Sequence, residues 1–340
     1  GWNPNALRGD PKTIDVVKAC NVLADALGSR GVTPFPIIWK LPTAENRRIN
    51  DGLKLVRDFI RKFIAEYKAT NPQLDAKKSD DGTGERPNLL HAMLAANASG
   101  LDGGLTDEEF VDQMFTFFLG AYETTSGTMG FALHHLAHHP ASQKRLREEL
   151  LKKFPNGQED LRQASLDDVE SVEFLNWVFT ETERLTPVAP MIPRHSLVDV
   201  EIQGHRIPAD TVVLVDHNAT GLDPNKKIWG NATFDDLHQF RPERFEEIPR
   251  KPTGVNAPMG FGAGARICLG RRIALAEMKV FIAHVILGYE VVPRKPDEPL
   301  ILNSQIGNHL KRGTGEVFFR PLASVGKSKA KAAEQAEARA

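Results

Sequence analysis

The stretch Phe261-Gly262-Ala263-Gly264-Ala265-Arg266-Ile267-Cys268-Leu269-Gly270 decides how the rest of the chain is read. Only two cysteines occur in 340 residues, Cys20 and Cys268, and the second lies here. Three glycines let the backbone turn tightly and approach a bound group closely. An amphipathic pattern follows at once, through Ile273, Leu275, Ala276, Met278, Val280 and Phe281, so the cysteine precedes a helix start. The positive end of a helix dipole favours the thiolate, which is the form that ligates a metal or attacks an electrophile. Taken alone, a lone cysteine is more ordinarily a small buried hydrophobe.

Composition narrows the field. Apolar residues make up 41% and charged residues 26%, enough for a sizeable core, and a formal net charge of -1 gives no support for nucleic-acid binding. Two cysteines exclude a disulfide framework and suit a reducing compartment. No run of about 18 apolar residues occurs, so no transmembrane helix is expected, and no signal peptide is visible.

Along the chain, helical periodicity dominates and β alternation is confined to short stretches, so the fold class read here is mainly α with small β-sheets (α+β). Ile14 to Leu27 and Ile49 to Tyr67 keep a helical period, with Thr43 opening the second helix. Residues 70–88 read as an exposed loop and Asn88 to Ala96 as a short helix. Thr106 with Glu109 forms a capping box for the longest helix, which Pro140 stops. This helix is apolar nearly all round in its middle and is expected to be central and buried. That middle nevertheless holds Gly120-Ala121-Tyr122-Glu123-Thr124-Thr125-Ser126, a local conflict of the kind found at functional sites. Further helices are expected from Pro140 to Lys153 and around Phe174 to Leu185, with a polar loop between them. Val198, Val200 and Ile202 alternate, Gly204 turns the chain, and Thr211 to Val215 is expected to return as the second strand of a hairpin. Residues 218–260 read as loop-rich, and Tyr289 to Val292 and Glu316 to Phe319 as short terminal strands.

The pattern Phe-x-x-Gly-x-Arg-x-Cys-x-Gly, five fixed positions in ten residues, resembles the haem-binding loop of the cytochrome P-450 family, the haem-thiolate monooxygenases. Three other features occur in the family's order. Gly120-Ala121-Tyr122-Glu123-Thr124-Thr125 resembles its Ala/Gly-Gly-x-Asp/Glu-Thr-Thr helix signature, with Ala121 at the place of the second glycine. Glu181-Thr182-Glu183-Arg184 with Phe240-Arg241-Pro242-Glu243-Arg244-Phe245 resembles its Glu-x-x-Arg and Phe-x-Pro-Glu-Arg-Phe segments. Arg194 stands ten residues after Arg184, just before the alternating stretch. Each has an ordinary reading too: helix hydroxyls bonded to the preceding turn, an exposed ion pair, a surface charge.

The resemblance implies a cytochrome P-450 fold lacking its N-terminal part, with residues 1–325 as a partial catalytic domain best defined over 106–325, and a charged tail at 326–340. It implies haem b (iron protoporphyrin IX) as cofactor, with Cys268 as metal ligand and Phe261, Gly264, Gly270, Arg266 and Arg194 as cofactor-binding residues. Glu123 and Thr124 are then catalytic, holding dioxygen and relaying protons, and Glu181, Arg184 and Arg244 form a structural triad. The implied reaction inserts one oxygen atom from dioxygen into a small apolar organic substrate, with electrons from an NADPH-dependent flavoprotein reductase. Motif offsets offer Phe117, Phe118, Ala121, Val188, Ala189, Met191 and Ile306 as substrate-facing, and Lys226, Lys227, Arg271 and Arg272 as meeting the reductase; core packing and solvated surface are the plain alternatives. The Glu-Thr-Thr-Ser form and the segment Val200 to Gly204 look like the eukaryotic microsomal branch, which implies the cytosolic face of the endoplasmic reticulum membrane, reached only through an N-terminal anchor. Two rival readings stay open: a truncated, catalytically incompetent homologue, and a haem-thiolate enzyme that rearranges peroxides.

Overall fold

A computed structural model of the chain describes residues 11–31, 35–71, 88–98, 100, 103–224, 229, 232–248, 260–297, 300–304, 307–310 and 314–322. The chain forms two compact units, residues 1–122 and 123–340, and the boundary falls inside one long helix.

The first unit is helical. Helix α1 (Pro11–Gly31) lies against α2 (Ala44–Thr70), and α3 (Leu89–Ala98) and the first half of α4 (Asp107–His138) complete it. Thr43 caps α2 by accepting the Asn46 N–H at 3.1 Å. Ile49, Val56, Ile60 and Ile64 recur at helical spacing and bury one stripe of α2 against Val16, Ala19 and Leu23 of α1. Cys20 packs into the same core at 1% exposure, as a small hydrophobe. At the start of α4 the expected capping box is present: the Glu109 N–H donates to Thr106 Oγ1 at 3.3 Å, and the Thr106 N–H donates to Glu109 Oε2 at 2.9 Å.

The second unit packs the end of α4 with α5 (Pro140–Lys153), α6 (Gln158–Gln163), α7 (Leu166–Glu170), α8 (Glu173–Leu185) and α10 (Arg271–Gly288) around Phe131, Leu136, Leu146, Leu175, Ile282 and Ile286. A short helix α9 (His217–Leu222) follows the strands β1 (Met191–His195), β2 (Val200–Ile202), β3 (His205–Ile207) and β4 (Val212–Asp216). Strands β5 (Tyr289–Pro293), β6 (Leu302–Ser304), β7 (Asn308–Leu310) and β8 (Val317–Pro321) come after α10. Every described sheet is a two-stranded antiparallel ribbon: β1 with β4, β2 with β3, β5 with β8 and β6 with β7. Gln143, on α5, ties one ribbon to the helices. Its side chain accepts the Val291 N–H at 2.9 Å and donates to the Val291 carbonyl at 2.8 Å, as a neighbouring strand would. No described helix is long and apolar enough to cross a membrane.

Three sequence expectations change. The strand at 212–216 pairs with Met191–His195 and not with the stretch around Val200. Gln203 and Gly204, at φ 51° and 81°, make a two-residue turn that sends β2 directly into β3, and this inner hairpin is enclosed by the outer pair. The polar connection after α5 is not a loop but holds α6 and α7, the latter opened by a Ser165–Asp168 capping box. The middle of α4 is not buried all round either: Gly120, Ala121 and Thr124 are exposed on one side, while Phe131 to Ala137 are fully enclosed. Gly120 and Ala121 have too little side chain to fill space along that side, whereas the later turns meet the aliphatic faces of α5 and α8.

Candidate functional site

The site rests on a buried ion network. Glu181 and Arg184 lie three apart on α8, so they share a face, and both are at most 1% exposed. The Arg184 guanidinium grips the Glu181 carboxylate with two parallel bonds, Nε to Oε2 at 2.8 Å and Nη2 to Oε1 at 2.8 Å. Arg244 arrives from a 3-10 turn at Pro242–Glu246 and donates from Nε to Glu181 Oε1 at 2.9 Å, where the Arg241 N–H also donates at 2.8 Å. The remaining guanidinium hydrogens reach the carbonyls of Gly221, Leu237 and Gln239 from Arg184, and Asp236 and Gln239 from Arg244. Asp236 supplies a second carboxylate, its Oδ1 accepting from Arg244 Nη1 at 2.9 Å. Burial works against its charge, yet the bonds from Arg241 and Arg244 hold its carboxyl below the ordinary value. No local pattern in the sequence points to Asp236. Gly221 is required by the same packing, since a Cβ there would lie 2.5 Å from the Arg184 carbonyl oxygen.

The network anchors α9 and the 3-10 turn at Pro242–Glu246 against α8, and the cysteine loop closes on the same unit. Gly262 and Gly264 adopt φ 73° and 68°, the left-handed region that a side chain would strain. A Cβ on Gly262 would approach Ile192 Cδ1 of β1 at 3.4 Å, so the loop lies against that strand. The Cys268 N–H donates to the Phe261 carbonyl at 2.8 Å and closes the loop; the Arg271 N–H then donates to the Cys268 carbonyl at 3.3 Å as α10 begins. Phe261 packs on the core, while Cys268 is exposed beside Ile267 and Leu269, which are 48% and 84% exposed. The loop therefore presents an accessible thiol within an apolar surface just ahead of a helix N-terminus.

Arg194 and Arg266 are both exposed, and neither has a carboxylate partner among the described residues; Arg194 donates only to the neighbouring Pro193 carbonyl, at 2.9 Å. Arg194 follows Ile192 by two residues on β1, which puts both on the strand face that meets Gly262. An accessible sulfur ligand, an apolar surround and two unmatched guanidinium groups suit a flat apolar cofactor with a metal centre and carboxylate arms, and haem has that chemistry. On α4, Glu123 is half-buried and Thr124 exposed, while Thr125 and Thr128 are buried. Ser126 Oγ donates to the Glu123 carbonyl at 3.2 Å and Thr128 Oγ1 to the Thr124 carbonyl at 3.0 Å, the back-bonding that makes hydroxyls tolerable in a helix. A Cβ on Gly127 would touch Val188 Cγ2 at 3.1 Å, so this turn of α4 packs against the connector between α8 and β1. Asn308 holds that connector from β7, donating its N–H to Val188 and its amide to Pro187, each at 2.8 Å; nothing in the sequence singles it out. Ile306, Lys226, Lys227 and the tail at 326–340 lie outside the described residues.

Two titratable groups flank the network, His135 buried and Glu183 half-buried. His135 stacks on Phe240 at 4.7 Å and shares a hydrogen bond with Thr186 at 3.1 Å; burial, then the neighbouring histidines, push it down to about 3, so it stays neutral. Glu183, beside Arg184, is pushed up to about 8 by burial, against the pull of Arg271 and Lys279. A carboxyl whose folded value is raised stabilises fully below its ordinary value of 4.5 and loses that contribution as pH climbs through about 8. Glu183→Gln is therefore expected to gain on the wild type by about 2–3 kcal/mol between pH 5 and pH 8.5, measured as the difference in urea unfolding free energy. An unchanged difference across that range would show that Glu183 is ionised in the fold.

Comparisons with known proteins agree with this geometry. The cytochrome P-450 family model matches residues 5–317. Cyclooctat-9-en-7-ol 5-monooxygenase of Streptomyces melanosporofaciens is 30% identical over 285 residues, covering 84% of this chain and 57% of its own. Cytochrome P-450 3A13 of Mus musculus is 39% identical over 278 residues, covering 81% and 51%. A cytochrome P-450 crystal structure superposes with a TM-score of 0.69 at 23% identity, over 91% of this chain and 65% of that one, and shares the fold. The chain thus spans about half the length of the curated relatives it matches, and these come from a bacterium and a mammal, so the likeness reaches the family and not the branch. With the family match running over residues 5–317 and a thiol-bearing glycine loop in the same unit as a buried Glu-Arg-Arg network, the chain belongs to the cytochrome P-450 family.

Proposed function

We propose that this chain carries the haem-ligand part of a monooxygenase that inserts one oxygen atom from dioxygen into a small apolar organic substrate. The observation that carries the reading is the exposed Cys268 at the mouth of α10, on a loop whose shape depends on left-handed Gly262 and Gly264. When bound, haem supplies the redox and oxygen chemistry, and a thiolate ligand favours O–O cleavage. The chain's own residues do the rest. Cys268 holds the iron, Phe261, Gly264 and Gly270 shape its cradle, and Arg194 and Arg266 pair with the cofactor's carboxylates. Glu123 and Thr124 sit in a helix turn with access to water and pass protons to the reacting centre. The Streptomyces relative is named as a 5-monooxygenase of cyclooctat-9-en-7-ol, which supports the reaction type and an apolar organic substrate. The Glu-Thr-Thr-Ser form of α4 supports NADPH-derived electrons delivered by a flavoprotein reductase at the cytosolic face of the endoplasmic reticulum.

The test is a difference spectrum. Expressed with haem, reduced and exposed to carbon monoxide, the chain is expected to give the red-shifted Soret band of a thiolate–iron–carbonyl. A band typical of histidine ligation, or no bound haem, refutes the reading. Proton delivery has its own test. With haem and a reductase supplied, Thr124→Ala is expected to lower product formed per NADPH consumed by about tenfold, with NADPH consumption itself retained. An unchanged ratio removes Thr124 from the proton path.

A further inference from the structure

The chain contains one Asn-Gly step, Asn156-Gly157, and it lies in the connection between α5 and α6. In such a step the glycine backbone nitrogen can attack the asparagine carboxamide carbon, because the following residue has no Cβ to obstruct the approach. The new N–C bond closes a succinimide ring and ammonia leaves. Water then opens the ring to aspartate or isoaspartate, so the conversion needs no oxidant or reductant. Here both reacting groups are engaged elsewhere. Asn156 is exposed, but its backbone N–H donates to Asp160 Oδ2 at 2.7 Å and its side-chain amide to Asp160 Oδ1 at 2.9 Å. The backbone bond first, then the side-chain bond, hold the Asp160 carboxyl below its ordinary value, which keeps it an acceptor. The attacking nitrogen belongs to Gly157, which is buried and donates to the Phe154 carbonyl at 2.8 Å.

We propose that Asn156 is a modification site latched by Asp160: deamidation is suppressed while the carboxylate grips the residue, and proceeds when the turn opens. The consequence reaches α10. Gln158 donates from Nε2 to the His284 carbonyl at 2.7 Å, and a Cβ on Gly288 would collide with the same nitrogen, so α6 begins in close contact with the end of α10. Isoaspartate adds a methylene to the main chain two residues before that contact, and either product sets a second carboxylate against Asp160. None of these residues belongs to the thiol loop or the arginine network, so the site does not depend on the monooxygenase reading.

Incubation of the full chain at mildly alkaline pH tests it, with peptide mass spectrometry reading the mass gain of amide-to-acid conversion at Asn156. Conversion is expected to be at least about tenfold slower in the folded chain than in urea, and Asp160→Ala is expected to raise the folded rate about tenfold with other asparagines unaffected. Asp160→Asn, which keeps one acceptor oxygen, is expected to lie between. Glu159→Ala, whose carboxylate pairs with Arg162, is expected to leave the rate unchanged. In the converted chain, hydrogen exchange over residues 284–288 is expected to quicken. Equal rates in the wild type and both Asp160 variants overturn the latch, as does an equal acceleration by Glu159→Ala. No conversion at Asn156 in urea overturns the site, and unchanged exchange over 284–288 overturns its link to α10.

Discussion

Cys268→Ser is expected to abolish the thiolate–iron–carbonyl band outright while leaving the far-ultraviolet circular dichroism unchanged. The two halves of that result have separate causes. The Cys268 side chain is exposed, so the substitution opens no cavity in the core. The bond that closes the loop runs from the residue 268 backbone N–H to the Phe261 carbonyl and does not involve sulfur. The loop shape depends on Gly262 and Gly264, which the variant retains. What is lost is the soft, ionisable ligand: a serine hydroxyl does not ionise near neutral pH, and it lacks the electron donation of a thiolate. If the serine variant kept a red-shifted band, the ligand would have to be another residue, and the one other cysteine, Cys20, is 1% exposed in the core of the first unit.

Glu181→Gln is expected to destabilise the fold by about 3–5 kcal/mol, measured by urea unfolding at pH 7. The carboxylate accepts bonds from Arg184 through two nitrogens, from Arg244 and from the Arg241 N–H. A carboxamide keeps the shape and removes the charge, and half of its polar end becomes a donor facing guanidinium hydrogens. Both arginines are at most 1% exposed, so no water replaces what is lost. A domain is stable by about 5–15 kcal/mol in total, so the variant sits close to unfolding. The contrast is Arg206→Ala: its pair with Asp199 at 2.5 Å has side chains 78% and 50% exposed, and its loss is expected to cost under about 1 kcal/mol. Equal losses from the two variants would mean that the buried network is as replaceable as a surface pair.

Much of this was legible because it is local. The Thr106–Glu109 box and the Thr43 cap need only a hydroxyl, a helix start and three residues of spacing. Glu181 and Arg184 share a face of α8 whatever surrounds the helix. The glycine loop declares its backbone in its residue types, because left-handed φ at Gly262 and Gly264 is a property of those positions. The hairpin misreading had a local cause too. Val200 and Ile202 alternate as a strand should, but alternation does not name a partner, and the Gln203-Gly204 turn uses up β2 and β3 on each other.

The residues by themselves determined a mainly helical chain, a thiol loop before α10 and a Glu181–Arg184 pair on one face of α8, since each follows from spacing along one element. Only the tertiary structure decided that β1 pairs with β4, that Asp236 joins the arginine network, and that desolvation raises the Glu183 carboxyl above its ordinary value. Those depend on desolvation and on contacts between distant segments, and neither is a property of any short stretch of sequence.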